Sequence, residues 1–201
     1  MAAPAPLLVL LHGVGGAPAD MAPLGQRIAA IDPRVTLAAP PAAHPYDLGA
    51  AGWQWFSVDG IDEENRPGRI RAALPDFVAT IRALQRSHGA GPEDTVLAGF
   101  SQGAIMALAA SAETWLARHV IAIAGRFAPL PRQWDARTAV SLVHGRMDGV
   151  MPAERSREAA ARLAQLGASV RLELVPRAVH MLSAPLLDAA VQAWRDAPAP
   201  N

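Results

Sequence analysis

The sequence predicts an α/β fold: a mostly parallel central sheet with helices on both faces. Two observations carry this. Short apolar runs alternate along the chain with longer segments whose apolar residues recur at helical spacing. Most of the short runs are continuously apolar, as strands buried on both faces are. In such sheets ligands sit beyond the carboxyl ends of the strands.

The elements follow in order. Leu7 to Leu11 reads as a central strand and ends in His12-Gly13-Val14-Gly15-Gly16. Asp20 is placed to cap a helix running to Ile31, and Val35 to Ala38 is the next strand, closed by Pro40-Pro41. A long loop past His44, Pro45 and Gly52 leads into Trp53-Gln54-Trp55-Phe56. From about Arg69 to His88, Ile70, Leu74, Phe77, Val78, Ile81 and Leu84 fall at helical spacing, with Pro75 expected to kink this helix or begin its main part. Strands at Thr95 to Gly99, Val120 to Ala124 and Ala139 to Val143 follow, then a helix from Pro152 to Leu166 stopped by Gly167. Val170 to Val175 alternates as an edge strand does, and Pro185 to Trp194 is the last helix.

Composition narrows the function classes. A chain of 201 residues with no linker-like stretch reads as one domain over 1–201, with no insertion long enough for a large lid. Eighteen arginines balance 18 acidic residues, so no electrostatic footprint for nucleic acid or an anionic membrane is expected. No apolar run reaches membrane-spanning length, and Met1-Ala2-Ala3-Pro4-Ala5-Pro6 lacks a basic leader region. Zero cysteines exclude a disulfide framework and a thiol nucleophile, and fit the cytoplasm. No histidine pair has metal-ligand spacing, so no metal is expected.

The stretch with chemical content is Gly99-Phe100-Ser101-Gln102-Gly103, where a strand hands over to an Ala-rich helix. That is the context of the G-x-S-x-G nucleophile elbow. Gly99 and Gly103 leave room for strand and helix to pass closely, and the helix N-terminus favours negative charge beside Ser101. Asp148 follows another strand end 47 residues later, and His180 the last strand a further 32 on. This chain order of Ser, Asp and His is the one expected on an α/β-hydrolase sheet. His180 would take the Ser101 proton and Asp148 would orient the imidazole. The oxyanion donors expected are the backbone N–H groups of Val14 and Gln102. His12 and His144 read as structural residues that orient the loops around the site.

Leu11-His12-Gly13-Val14-Gly15-Gly16, Trp55-Phe56, Gly99 to Ala104 and His144-Gly145-x-x-Asp148 with Pro152 resemble the phospholipase/carboxylesterase branch of the α/β-hydrolases. Gln54 to Ile61 and Gly99 to Leu108 look like a bacterial subgroup of small cytoplasmic esterases. The resemblance implies hydrolysis of carboxylic esters or thioesters without a cofactor. Its triad falls on Ser101, Asp148 and His180, its oxyanion donors on Val14 and Gln102, and it leaves monomer and homodimer open. Two departures stand out. Val179 precedes the histidine where the family usually has Gly, and the charged segment Ser57 to Gly68 is placed to narrow or gate an acyl groove.

Trp53, Trp55 and Phe56 are either a wall of an acyl pocket or a cover over the core. Met147, Met151 and Met181 flank the acid and base and suit an adaptable apolar pocket. Arg126 is placed either to meet an anionic group on a substrate or to form a structural ion pair. The expected function is a serine carboxylesterase or thioesterase acting on small to medium acyl esters. The alternatives are a non-catalytic binding protein of the same fold, or a lactone or peptide hydrolase using the same triad.

Overall fold

The computed structural model describes residues 5–197; the Met1 to Pro4 part of the segment read for a leader lies outside them. In chain order the elements are β1 (Leu7–Leu11), a 3-10 turn (Pro18–Met21), α1 (Ala22–Ile31), β2 (Thr36–Ala38), β3 (His44–Pro45), β4 (Trp53–Gln54), α2 (Arg66–Ser87), β5 (Thr95–Phe100), α3 (Gln102–Glu113), β6 (His119–Ile123), β7 (Ala139–Gly145), α4 (Glu154–Gln165), β8 (Val170–Val175) and α5 (Ala184–Arg195). Six strands form one wholly parallel sheet in the order β2-β1-β5-β6-β7-β8, and β3 and β4 form a separate antiparallel ribbon. Val9 lies opposite Ala38 on one side and Leu97 on the other.

Both faces of the sheet are covered because its strands are apolar on both. Leu7, Val9 and Leu11 of β1 point into a core shared with α2, α3 and α4, while Leu8 and Leu10 point into a second core with α1 and α5. The strand that alternates in sequence, β8, is an edge strand, with Arg171 and Glu173 turned to solvent.

Two helix boundaries differ from the sequence reading, each for a local reason. Asp20 lies within the 3-10 turn and its carboxylate accepts the Ala17 N–H at 2.8 Å, so it caps that turn rather than α1. Pro75 neither begins nor ends α2, which runs 22 residues through it from Arg66. Proline removes one intrahelical hydrogen bond, but Ile70 before it and Phe77 and Ile81 after it bury one continuous face. Among the described residues no helix is long and apolar enough to cross a membrane.

His119 opens β6 almost wholly buried, with Nε2 at 2.9 Å from the Ser141 hydroxyl. Burial, assisted by the neighbouring Arg118 guanidinium, pushes its pKa down to about 3. The unfolded chain, with an ordinary imidazole, then binds the proton that the folded chain refuses, so stability falls as pH drops below about 6.5. The expected slope is about 1.4 kcal/mol per pH unit from this group. Melting temperature measured from pH 7 to pH 5 should therefore decline less steeply in His119→Gln, whose side chain does not titrate.

Candidate active site

The chain leaves β1 toward β2 on one side and later returns to place β5 on the other, so the strand order reverses between β1 and β5. The loops after these two strands diverge around a crevice, the usual ligand position in an open parallel sheet. They abut closely: a Cβ on Gly13 would sit 3.1 Å from Phe100 Cδ1 and 3.4 Å from Ser101 Cβ.

Ser101 stands at the turn from β5 to α3 with φ 51° and ψ −113°, outside the comfortable regions for an L-residue. Its N–H donates to the Ile123 carbonyl at 2.9 Å, which fixes the elbow to the neighbouring strand β6. The flanking glycines serve different contacts. A Cβ on Gly99 would meet the Ala104 nitrogen at 2.5 Å, where strand and helix cross, whereas one on Gly103 would meet the Leu11 carbonyl of β1 at 2.3 Å.

His180 Nε2 lies 2.8 Å from Ser101 Oγ, and His180 Nδ1 lies 2.7 Å from Asp148 Oδ2. A carboxylate accepts, so Nδ1 carries the proton and Nε2 is left to accept from the serine hydroxyl. Phe100 packs its ring 5.1 Å from the His180 imidazole, centroid to centroid. Val179 is accommodated without a glycine's conformation. In this loop only Arg177 takes a positive φ, at 58°, and the Val179 side chain points largely outward.

Asp148 is held from four directions. Oδ1 accepts the N–H groups of Val150 at 2.9 Å and Met151 at 2.7 Å, and Oδ2 faces both His180 and, at 3.3 Å, Nε2 of His144. His144 is fully buried, and its Nε2 also faces the Met151 carbonyl at 2.8 Å. That oxygen can only accept, so the His144 proton is on Nε2, and Nδ1 accepts from the Ser156 hydroxyl at 2.7 Å. Burial lowers the His144 pKa and keeps it a neutral donor toward the carboxylate. His12 is the mirror case: Nε2 accepts the Ala42 N–H at 3.0 Å, so Nδ1 donates to the Gly13 carbonyl at 2.7 Å, and burial again lowers its pKa. Neither the His144–Asp148 contact nor Ser156 carries a motif signal; His-Gly-x-x-Asp marks the loop but not the contact.

The turns that carry Val14 and Gln102 adjoin, since a Cβ on Gly13 would lie 3.4 Å from Ser101 Cβ. The Val14 N–H has no protein acceptor among the described residues, and Gln102 is the first residue of α3, where no carbonyl lies one turn back. Both are free to face a developing negative charge beside Ser101. Beside His180 an open cleft of about 520 Å³ is lined by Val14, Asp20, Met21, Phe100, Met181 and Leu182, among others. A second groove, of about 540 Å³ between residues 43–59 and α2, contains no member of the Ser–His–Asp set.

The residues assigned to a substrate pocket from sequence divide in two. Met181 lines the cleft and is 58% accessible, and Met147 and Trp53 are exposed as well. Trp55, Phe56 and Met151 are buried in the core, with Trp55 edge-on to Phe77 at 5.2 Å, and Trp55 and Phe56 also line the second groove, which holds no member of the Ser–His–Asp set. Arg126 is engaged as well. Its guanidinium makes two hydrogen bonds to Glu63, at 2.9 and 2.6 Å, and this pairing holds the Glu63 pKa down to about 2. The ion pair ties the charged 57–68 segment to the end of β6. Arg69 pins the same segment through the Ser57 and Asp59 carbonyls at 3.0 and 2.7 Å, so it is a fastened loop. Among the described residues no group of three or more His, Cys, Asp or Glu side chains is arranged to hold a metal ion.

A serine on a strained strand-to-helix turn at the switch point of a parallel sheet, with a carboxylate and a histidine following in that order, defines a serine hydrolase of the α/β-hydrolase fold. The chain belongs to the phospholipase/carboxylesterase family, which it matches over residues 2–192. It is 40% identical over 177 residues to Esterase YpfH of Escherichia coli (strain K12), covering 88% of this chain and 76% of that one. The crystal structure of esterase PE8 superposes with a TM-score of 0.87 at 30% identity, over 98% of this chain and 94% of that one. The Bacillus cereus carboxylesterase shares the fold, with a TM-score of 0.79 at 19% identity over 96% and 89% of the two chains.

Proposed function

We propose that the protein is a serine carboxylesterase that hydrolyses small to medium acyl esters, and thioesters by the same route, through an acyl-enzyme on Ser101. The observation that carries the reading is the unbroken hydrogen-bond path from Ser101 Oγ through His180 to Asp148, at 2.8 and 2.7 Å. Ser101 Oγ attacks the acyl carbon while its proton passes to His180 Nε2. The developing oxyanion is taken up by the Val14 and Gln102 N–H groups. Collapse breaks the bond to the alcohol or thiol, which leaves with the proton from His180. Water, deprotonated by the same imidazole, then releases the acid and restores Ser101.

All of these groups come from one chain, and the reaction as written uses no cofactor. The apolar cleft beside His180 and the exposed Met147 and Met181 suit a flexible acyl or alcohol group. We assign the protein to the cytoplasm, since a chain without cysteine draws nothing from an oxidising compartment.

Covalent labelling tests the nucleophile. A fluorophosphonate should add once per chain, with the adduct on the peptide containing Ser101. An adduct on another serine, or none on folded protein, would contradict the assignment.

A further inference from the structure

We propose that the Trp53–Phe56 segment is a strap that sets the separation of the two oxyanion donors, with the Gln102 side chain as its positioning residue. The proposal rests on the serine-esterase reading above.

Val14 and Gln102 are 88 residues apart in the chain, and their N–H groups serve one oxyanion only if something fixes the loop after β1 relative to the start of α3. The strap bonds to both, through Trp53, Trp55 and Phe56. On the β1 side, Trp53 exchanges two backbone hydrogen bonds with the residues just after Val14: Gly15 N–H to Trp53 O and Trp53 N–H to Gly16 O, each 2.8 Å. Trp55 Nε1 donates to the His12 carbonyl, two residues before Val14, at 2.9 Å. The Val14 turn is therefore anchored on both flanks by the same segment.

On the α3 side, the Gln102 amide spans the next peptide unit of the strap. Its Oε1 accepts the Trp55 N–H and its Nε2 donates to the Phe56 carbonyl, both at 2.7 Å. Only this orientation of the amide satisfies both partners, and Gln102 and Trp55 are 2% and 3% exposed, so water does not substitute readily. The residue whose main chain offers one oxyanion donor thus uses its side chain to hold the segment that holds the other. The aromatic segment has little freedom to act as an adjustable pocket wall, because its backbone and the Trp55 indole are committed to these five bonds.

Oxyanion donors act through preorganisation at the position where charge develops, and a small displacement weakens transition-state binding far more than ground-state binding. A loosened strap should therefore lower kcat and leave KM nearly unchanged. Gln102→Met keeps length and loses both side-chain bonds. Trp55→Phe removes the bond to His12 together with part of the indole's packing against His12 and Phe77, and supplies an independent variant if the first does not fold.

The experiment measures kcat and KM with a p-nitrophenyl ester across pH, the inhibition constant of an aryl trifluoromethyl ketone, which forms a tetrahedral oxyanion adduct, and inhibition by the product acid. In Gln102→Met we expect kcat to fall about 10- to 100-fold. Ketone affinity should fall by a similar factor, while KM, product inhibition and the shape of the pH profile stay as in the wild type. Trp55→Phe should show the same pattern, smaller. A folded variant with unchanged kcat and ketone affinity would overturn the proposal. So would parallel losses in kcat, ketone binding and product binding, which mark general loosening. A wild-type protein that neither turns over esters nor binds the ketone would overturn the esterase reading itself, and the strap's role with it.

Discussion

Ser101→Ala should lower kcat for ester hydrolysis by roughly 10⁴- to 10⁶-fold while leaving the fold intact. Among the described residues the hydroxyl is the hydrogen-bond partner of His180 Nε2, at 2.8 Å, and alanine leaves that imidazole with nothing to deprotonate except water. The backbone gives the same position a second signature. At φ 51° and ψ −113° serine and alanine are strained alike, whereas glycine is not. Ser101→Gly should be as inactive as Ser101→Ala but more stable than it by about 1 kcal/mol, or about 2–4 °C in melting temperature for a chain of this size. Equal melting temperatures for the two variants would mean that the elbow stores no strain.

Asp148→Asn should lower kcat by roughly 10³- to 10⁴-fold. The surrounding hydrogen bonds dictate why. Two main-chain N–H groups, from Val150 and Met151, point at Oδ1, so the asparagine must keep its oxygen there and place its NH2 where Oδ2 was. That NH2 then confronts His180 at 2.7 Å and the Nε2–H of His144 at 3.3 Å. His180 resolves the clash by moving its proton to Nε2, the tautomer that cannot accept from Ser101. Steady-state kinetics of the purified variant check this, and a loss smaller than about tenfold would place the general base elsewhere.

The parts legible in the sequence were those that local pattern encodes. Continuous apolar runs located the buried strands, alternation singled out β8 as an edge, and the glycine-flanked serine marked the turn from β5 to α3. The parts that were not legible depend on partners distant in the chain. Gln102 meets Trp55 and Phe56 across 47 and 46 positions, and Arg126 meets Glu63 across 63. Nothing local to Gln102 says that its side chain, as well as its backbone, serves the site. Nothing local to Arg126 chooses between a substrate anion and a carboxylate of the same chain. Trp55 and Phe56 read equally well as pocket or core until Phe77 and His12 are seen to pack against the indole. Pro75 does not begin the main part of its helix, because the buried face of Ile70, Phe77 and Ile81, which no single local residue reveals, carries α2 through it.

Steady-state hydrolysis of p-nitrophenyl esters from acetate to palmitate, by the wild-type protein and Ser101→Ala at equal concentration, shows whether ester hydrolysis runs through Ser101. Turnover by the wild type should be highest at short to medium acyl lengths and absent from Ser101→Ala. Turnover that survives in Ser101→Ala, or a folded wild-type protein inactive on every ester in the series, would contradict hydrolysis through Ser101.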